Sequence, residues 1–178
     1  MKRSEVESLM RLLSPNVGED ILDVGCGSGF YAEMVKCAGA NVFCVDISPR
    51  MVEVVRQAGL EAEAHDIHLM NLNRSFDKIL CAGPLEFCQE PVTALNNLRR
   101  HLRRQGYLVV SVLTVSLIGV AYLAYHMIHG YRINLFTLRR IVSLLHKAGF
   151  RAETIEKPTS FLYVIKARPY DFNPLPRR

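Results

Sequence analysis

Ile21-Leu22-Asp23-Val24-Gly25-Cys26-Gly27-Ser28-Gly29-Phe30-Tyr31-Ala32 is the stretch that decides the fold. An apolar run carrying one acid ends in a turn with glycine at every second position. The turn opens directly into a helix-like segment. Strand, glycine turn and helix in that order bring backbone N–H groups to a helix N-terminus, where nucleotide-like ligands are held. The alternative is that the glycines only reverse the chain tightly. The flanking sequence decides between the two.

Upstream, Ser4-Glu5-Val6-Glu7 matches a capping box, and Val6, Leu9, Met10 and Leu13 follow at helical spacing. This predicts a short helix that ends near Ser14-Pro15. Downstream, a helix is expected from about Ser28 to Cys37, closed by Gly39, and a strand from Asn41 to Val45 that ends in Asp46. Ser48 then reads as an N-cap with Pro49 at the first helical position, and Met51, Val52, Val54 and Val55 form the apolar face. A third strand, Leu60 to Ala64, ends at His65-Asp66, and a fourth, Phe76 to Ala82, ends at Gly83-Pro84. Pro91 opens a helix to about Arg104, and Gly106 precedes a fifth strand, Tyr107 to Leu113. After an apolar helix and a break at Gly130-Tyr131, Thr137 caps a helix that ends at Gly149. Two strands, Phe150 to Lys157 and Ser160 to Ala167, close the chain as an antiparallel pair around Lys157-Pro158. Strands that alternate with helices in this way give an α/β fold with a mainly parallel sheet.

The bulk properties agree. The chain has 178 residues, 49% hydrophobic and 22% charged, which suits one domain with a real core. Its net charge of +5 permits an acidic partner without demanding one. Five cysteines with no CxxC spacing read as free thiols in a reducing cytoplasm. Glu5 and Glu7 interrupt the place where a secretory signal needs its apolar stretch. Tyr107 to Tyr125 carries no charge and is long enough to raise a membrane span. The β-rich YLVVSVL run and its place in the alternation favour a split into a buried strand and a separate helix, hence no transmembrane span.

In such sheets, ligands sit beyond the carboxyl ends of the strands. The residues delivered there are Gly25, Gly27 and Gly29 from strand one, Asp46 from strand two, Asp66 from strand three and Cys81-Ala82-Gly83-Pro84 from strand four. An acid in Asp46's place accepts hydrogen bonds from ribose hydroxyls; it could equally serve the helix end ahead of Ser48. Asp66 could be a turn residue only. A dinucleotide fingerprint wants G-x-G-x-x-G, whereas here the spacing is G-x-G-x-G with Phe30 in the last glycine's place. A ribose-bearing ligand without a pyrophosphate fits better.

These motifs resemble those of the class I S-adenosylmethionine-dependent methyltransferases, of the small-molecule type related to the ubiquinone/menaquinone biosynthesis enzymes. The matching stretches are LDVGCGSGFYA (22–32), CVDISPRMVEVVR (44–56), AHDIHLMNL (64–72), FDKILCAGPLEF (76–87) and ALNNLRRHLRRQGYLVVSVL (94–113). LHKAGFRAETIE (145–156) resembles the family's last helix and sixth strand. The resemblance implies a Rossmann-like three-layer sandwich on a seven-stranded sheet with an antiparallel last strand. One methyltransferase domain is expected over 1–168, with an apolar insertion near 114–135, and the proline-rich tail at 169–178 is expected to be extended or disordered. The resemblance implies S-adenosyl-L-methionine as cofactor, leaving as S-adenosyl-L-homocysteine. Asp23 and the backbone of Gly25, Cys26, Gly27 and Gly29 would hold its methionine part. Asp46 would hold the ribose, Ile47 and Met51 the adenine ring, Asp66 and Ile67 the adenine amino edge, and the backbone of Cys81 and Ala82 the methionine end.

Methyl transfer is an in-line displacement that asks the protein mainly for proximity and orientation. A base is needed only if the acceptor must lose a proton. Candidates are Glu86, His126, His129 and Tyr131. His126 and His129 also match a metal pair at helical spacing, but no carboxylate partner completes it, so no metal is expected. The apolar segment around Leu117, Ile118, Val120, Leu123 and Ile128 is apolar all round and must be buried, paired or in lipid. It is read as a lid over a small, partly apolar acceptor, with core packing or a homodimer interface as the alternative. Nucleic acid is the disfavoured acceptor. Arg99, Arg100, Arg103 and Arg104 read as a solvated helix end, and no Asp/Asn-Pro-Pro-aromatic motif follows strand four. A non-catalytic cofactor-binding protein is the remaining alternative.

Overall fold

The structure, a computed structural model, describes residues 3–130 and 133–170. Its elements run α1 (Arg3–Leu13), β1 (Asp20–Val24), α2 (Phe30–Cys37), β2 (Asn41–Asp46), α3 (Pro49–Gln57), β3 (Glu61–Ala64) and β4 (Phe76–Ala82). A 3₁₀ turn (Pro84–Glu86) follows, then α4 (Pro91–Arg100), β5 (Leu102–Leu113), α5 (Leu117–Ile128), α6 (Leu138–Lys147), β6 (Phe150–Thr159) and β7 (Leu162–Pro169). The seven strands form one sheet in the order β3-β2-β1-β4-β5-β7-β6. The first five pair in parallel, and β7 lies antiparallel between β5 and β6. The last strand is therefore the antiparallel one, as the resemblance implies.

Side chains alternate across the central strands, so each strand feeds two cores. Leu22, Ile79, Leu108 and Val110 face α4 and α6, where Leu95, Leu98, Ile141 and Leu145 meet them. Ile21, Leu80 and Val109 face the other way, against Leu9 and Leu13 of α1 and Val35 of α2. A third cluster joins Ala32, Val52 and Val55 of α2 and α3 to Cys44. The result is helix, sheet, helix. Leu80 and Leu95 are fully buried; truncating either to alanine would cost about 2–5 kcal/mol.

The amino ends of the strands are tied by polar contacts. Lys78 donates to the Ser14 carbonyl at 2.6 Å and pairs with Glu19, while the Tyr107 hydroxyl donates to the Leu13 carbonyl at 2.7 Å. Two of the orphaned carbonyls at the end of α1 are satisfied in this way. That end of the sheet is committed to structure, which leaves the carboxyl ends for a ligand.

Three boundaries differ from the sequence reading. Ser4 lies inside α1 and does not cap it; Arg3 pairs instead with Glu7 along the helix at 2.8 Å. Arg103 and Arg104 belong to β5, not to the end of α4. Arg103 is drawn there by two carboxylates, Asp20 at 2.6 Å and Asp77. Only Arg99 and Arg100 sit at the helix end. Lys157 and Pro158 lie within β6, where the register shifts between Glu156 and Thr159, and the reversal falls at Ser160-Phe161. A proline lacks the ladder donor, and an edge-strand irregularity accommodates it. Pro169 still pairs with Phe150, and residues 171–178 of the expected tail lie outside the described residues.

The uncharged stretch divides as expected into β5 and α5. Among the described residues, no helix is long and apolar enough to cross a membrane. α5 buries only Gly119, and its apolar side chains stand largely exposed.

Candidate active site

The site is built at the carboxyl end of β1. The chain leaves the strand with Gly25 at φ 68°, Gly27 at 54° and Gly29 at 86°, a left-handed path that side-chain-bearing residues resist. The Gly25 N–H donates to the Val45 carbonyl at 2.7 Å, which presses the turn against β2. A Cβ on Gly25 would lie 2.1 Å from Pro84 Cγ, so the approach of the two loops requires glycine there. At Gly27 a Cβ would meet nothing within 4 Å, which leaves open space in front of the turn.

Three carboxylates surround that turn. Asp46 ends β2; its Oδ2 accepts from the Gly27 N–H and its Oδ1 from the Ser48 N–H, both at 2.9 Å. Each oxygen keeps a second acceptor position. Asp23 lies behind the turn, 2% exposed, and its Oδ2 has no hydrogen-bond partner. Burial, reinforced by the charge of Asp46, pushes its carboxyl up to about 7. Asp66 follows β3. Its Oδ1 accepts from the His68 N–H at 2.8 Å and lies 2.8 Å from His68 Nδ1. The hydrogen bond from the His68 backbone holds this carboxyl below its ordinary value.

Gly25, Asp46 and Asp66 open on a cavity of about 780 Å³, whose lining does not include Asp23, Gly27 or Gly29. Of the residues singled out from the sequence, Gly25, Asp46, Ile47, Asp66, Ile67, Ala82 and Glu86 line it. Cys26 and Cys81 turn their side chains into the cores, and Met51 sits in α3, where its N–H donates to the Ser48 hydroxyl. Among the described residues, no lysine or arginine lines the cavity. Its acidic groups are the carboxylates Asp46, Asp66, Glu86 and Glu90, beside the neutral donors and acceptors of His65, His68, Gln89 and Tyr122, a set suited to hydroxyls, amino groups or a cation more than to a phosphate.

Glu86 closes the far wall. It is 4% exposed and sits in the 3₁₀ turn after β4. Oε1 accepts from the Leu113 N–H at 2.8 Å, and its carbonyl accepts from the Asn134 N–H at 2.6 Å. One residue thus holds both the strand that leads into α5 and the segment that returns from it. Burial pushes the carboxyl up to about 8, against the opposing pull of the Leu113 N–H and with help from the charge of Glu5.

The histidines stand further off. His126 packs among Tyr122, Tyr125 and Phe87, with ring centroids 4.3, 5.4 and 5.7 Å away. His129 is exposed, with Nδ1 2.8 Å from the Tyr125 carbonyl. Tyr131 lies outside the described residues. Tyr122, on the apolar segment read as a lid, lines the cavity, as do Phe87, His65 and His68, to which the sequence reading gives no site role. The two histidines flank Asp66 and could have been read from that; Tyr122 is carried there by α5, which starts just past the end of β5 with Gly119 packed on the Thr114 carbonyl. Among the described residues, no group of three or more His, Cys, Asp or Glu side chains is placed to hold a metal ion.

Comparison with known proteins agrees with this geometry. A family model described as a methyltransferase domain matches residues 22–110. The ubiquinone biosynthesis O-methyltransferase of Xanthomonas oryzae pv. oryzae is 30% identical over 122 residues, covering 60% of this chain and 51% of its own length. The enzyme of the same name from Paracidovorax citrulli is 25% identical over 190 aligned positions, covering 93% of this chain and 72% of its own. The chain thus spans about half the length of several of the curated relatives it matches. An S-adenosylmethionine-dependent methyltransferase from Mesorhizobium loti superposes with a TM-score of 0.78 at 20% identity, covering 93% of this chain and 97% of its own. At that identity the likeness is one of fold.

Proposed function

Because the chain belongs to the methyltransferase domain family, we propose that it transfers a methyl group from S-adenosylmethionine to a hydroxyl of a small, partly apolar acceptor. The observation that carries the proposal is the carboxylate-bearing cavity beside the glycine turn, with Asp46 anchored on two backbone amides and, among the described residues, no lysine or arginine in the wall. The oxygen nucleophile is suggested by the O-methyltransferase names of the relatives. When bound, the cofactor supplies a methyl group activated by a sulfonium sulfur.

The residues fit that cofactor. The unpartnered Oδ2 of Asp23 and the open space before Gly27 suit an ammonium-bearing chain at the turn. Asp23 and the backbone of Gly25, Cys26, Gly27 and Gly29 would hold the methionine part. Asp46 would accept from both ribose hydroxyls through its remaining lone pairs. Ile47 and Met51 are assigned to the adenine ring, Asp66 and Ile67 to its amino edge, and the backbone of Cys81 and Ala82 to the methionine end.

Glu86 is the proposed base. Glu86 lines the cavity, whereas His126 packs among neighbouring rings and His129 is exposed. A carboxyl poised near 8 can take a hydroxyl proton once ionised, and methyl transfer should rise with pH through that value. The acceptor binds between Glu86, Phe87 and Tyr122. Five free cysteines favour a reducing, cytoplasmic setting.

Three measurements test this reading. Calorimetry should give tighter binding for S-adenosylhomocysteine than for NAD; the reverse order overturns the cofactor assignment. Cofactor with a labelled methyl group, incubated with a catechol as acceptor, should give labelled product with wild-type protein and none with Glu86→Gln. Cofactor hydrolysis alone, across phenolic acceptors, would favour the non-catalytic alternative. RNA binding with a steep salt slope would point to a nucleic-acid acceptor instead.

A further inference from the structure

α5 has no acidic, lysine or arginine side chain, and its outward half is exposed. Leu117 is 93% exposed and Ile128 83%, and Ile118, Val120, Tyr125 and Met127 join them. At 3.6 residues per turn these six positions sweep about half the helix circumference. The opposite half carries Gly119, Tyr122, Leu123 and His126. That half meets the protein: a Cβ on Gly119 would lie 2.4 Å from the Thr114 carbonyl, Tyr122 lines the cavity, and His126 contacts Phe87. Closure of α5 over the cavity would bury the half that already faces the protein and leave the outward half wet.

A second copy covers this surface poorly. A helix pair buries a narrow seam, whereas a helix apolar on nearly every side needs an apolar medium around it. The charge pattern points the same way. From Pro91 to Ala152 the sequence contains no Asp or Glu. The excursion that carries α5 begins and ends at one neck, where Thr114 bridges to Phe136 and the Phe136 N–H donates to the Leu113 carbonyl at 2.9 Å. Arg139 and Arg140 stand exposed in the first turn of α6, just beyond that neck. Tyr125 and His129 place polar tips on ring bodies along one edge of the helix, the arrangement favoured where apolar and wet regions meet.

We propose that α5 docks into an anionic lipid surface, lying in the boundary between headgroups and acyl chains with its outward half immersed. Twelve residues span about 18 Å, too short to cross a hydrocarbon core of about 30 Å, so the helix lies along the surface. Arg139 and Arg140 meet the headgroup charge from the neck. This reading does not depend on the reaction assigned to the cavity.

The chain contains no tryptophan, so Ile128→Trp reports on α5 alone. With full-length protein, vesicles of phosphatidylcholine and phosphatidylglycerol should shift its emission to the blue, and brominated acyl chains should quench it. Pure phosphatidylcholine vesicles should bind at least tenfold more weakly. Adding Leu117→Glu and Val120→Glu should abolish the shift, and Arg139→Glu should weaken it severalfold, with unchanged melting temperatures showing an intact fold. No shift on vesicles, equal binding to neutral vesicles, or a blue shift that tracks dimer formation in sedimentation without lipid would each overturn the proposal. A cofactor-binding defect with vesicle binding intact would instead count against the reading of the cavity.

Discussion

Glu86→Gln separates the stability role of this residue from its chemical one. The wild-type carboxyl sits at about 8 in the folded protein, raised by burial from an ordinary 4.5. A raised carboxyl favours the folded state most while it is neutral in both states, below the unfolded value. As pH climbs from 4.5 towards 8 the unfolded chain ionises first, and folding loses about 1.36 kcal/mol for each pH unit in that window. The loss totals on the order of 4–5 kcal/mol and levels off above pH 8. Glutamine keeps the shape, presents an oxygen to the Leu113 N–H, and does not ionise. The variant should match wild type near pH 4.5 and exceed it by several kcal/mol at pH 9. Urea unfolding of both proteins across that range measures the difference, and the titration of every other group, Asp23 included, cancels to first order. A difference that stays flat with pH would refute the burial argument. The same variant should lose methyl transfer, so a more stable protein would be a less active one.

Asp46→Ala should weaken S-adenosylhomocysteine binding by about 1–3 kcal/mol, read by calorimetry, because two charge-assisted hydrogen bonds to ligand are lost. Gly25→Ala forces a Cβ against Pro84 and holds alanine at φ 68°; thermal melting should show a loss of at least about 1–3 kcal/mol. Asn134→Ala removes the side-chain donor to the Cys88 carbonyl at 2.7 Å. By loosening the cover over Glu86, it should move the midpoint of the pH–rate profile down from about 8, towards the ordinary carboxyl value. An unchanged midpoint with lower stability would make Asn134 purely structural.

Much of the architecture was legible because local chemistry and tertiary context agree along β1, β2 and β4. Each is an apolar run whose carboxyl end is marked by glycine or aspartate, and Ser48-Pro49 starts α3 as its types dictate. Legibility failed where a distant partner decides. Nothing local tells Arg103 that Asp20 and Asp77 wait across the sheet, so the end of α4 was drawn too far. Pro158 reads as a turn until the edge-strand irregularity around it is seen. In the site, the carboxylates at strand ends were found by position, whereas Phe87 and Tyr122 depend on how a 3₁₀ turn and α5 meet in space. Helical periodicity announced that α5 must be covered, but not by what.

The bridge between Thr114 and Phe136 has a consequence for how such a chain can diversify. The polypeptide leaves the sheet and rejoins it at bonded neighbours, so the intervening segment is a detachable cassette. Loop-closure entropy rises only slowly with length, by about 0.6 kcal/mol per doubling. Segments of different size and character could occupy the same port while β5 and α6 keep their registers, changing the wall that Tyr122 supplies without disturbing the glycine turn.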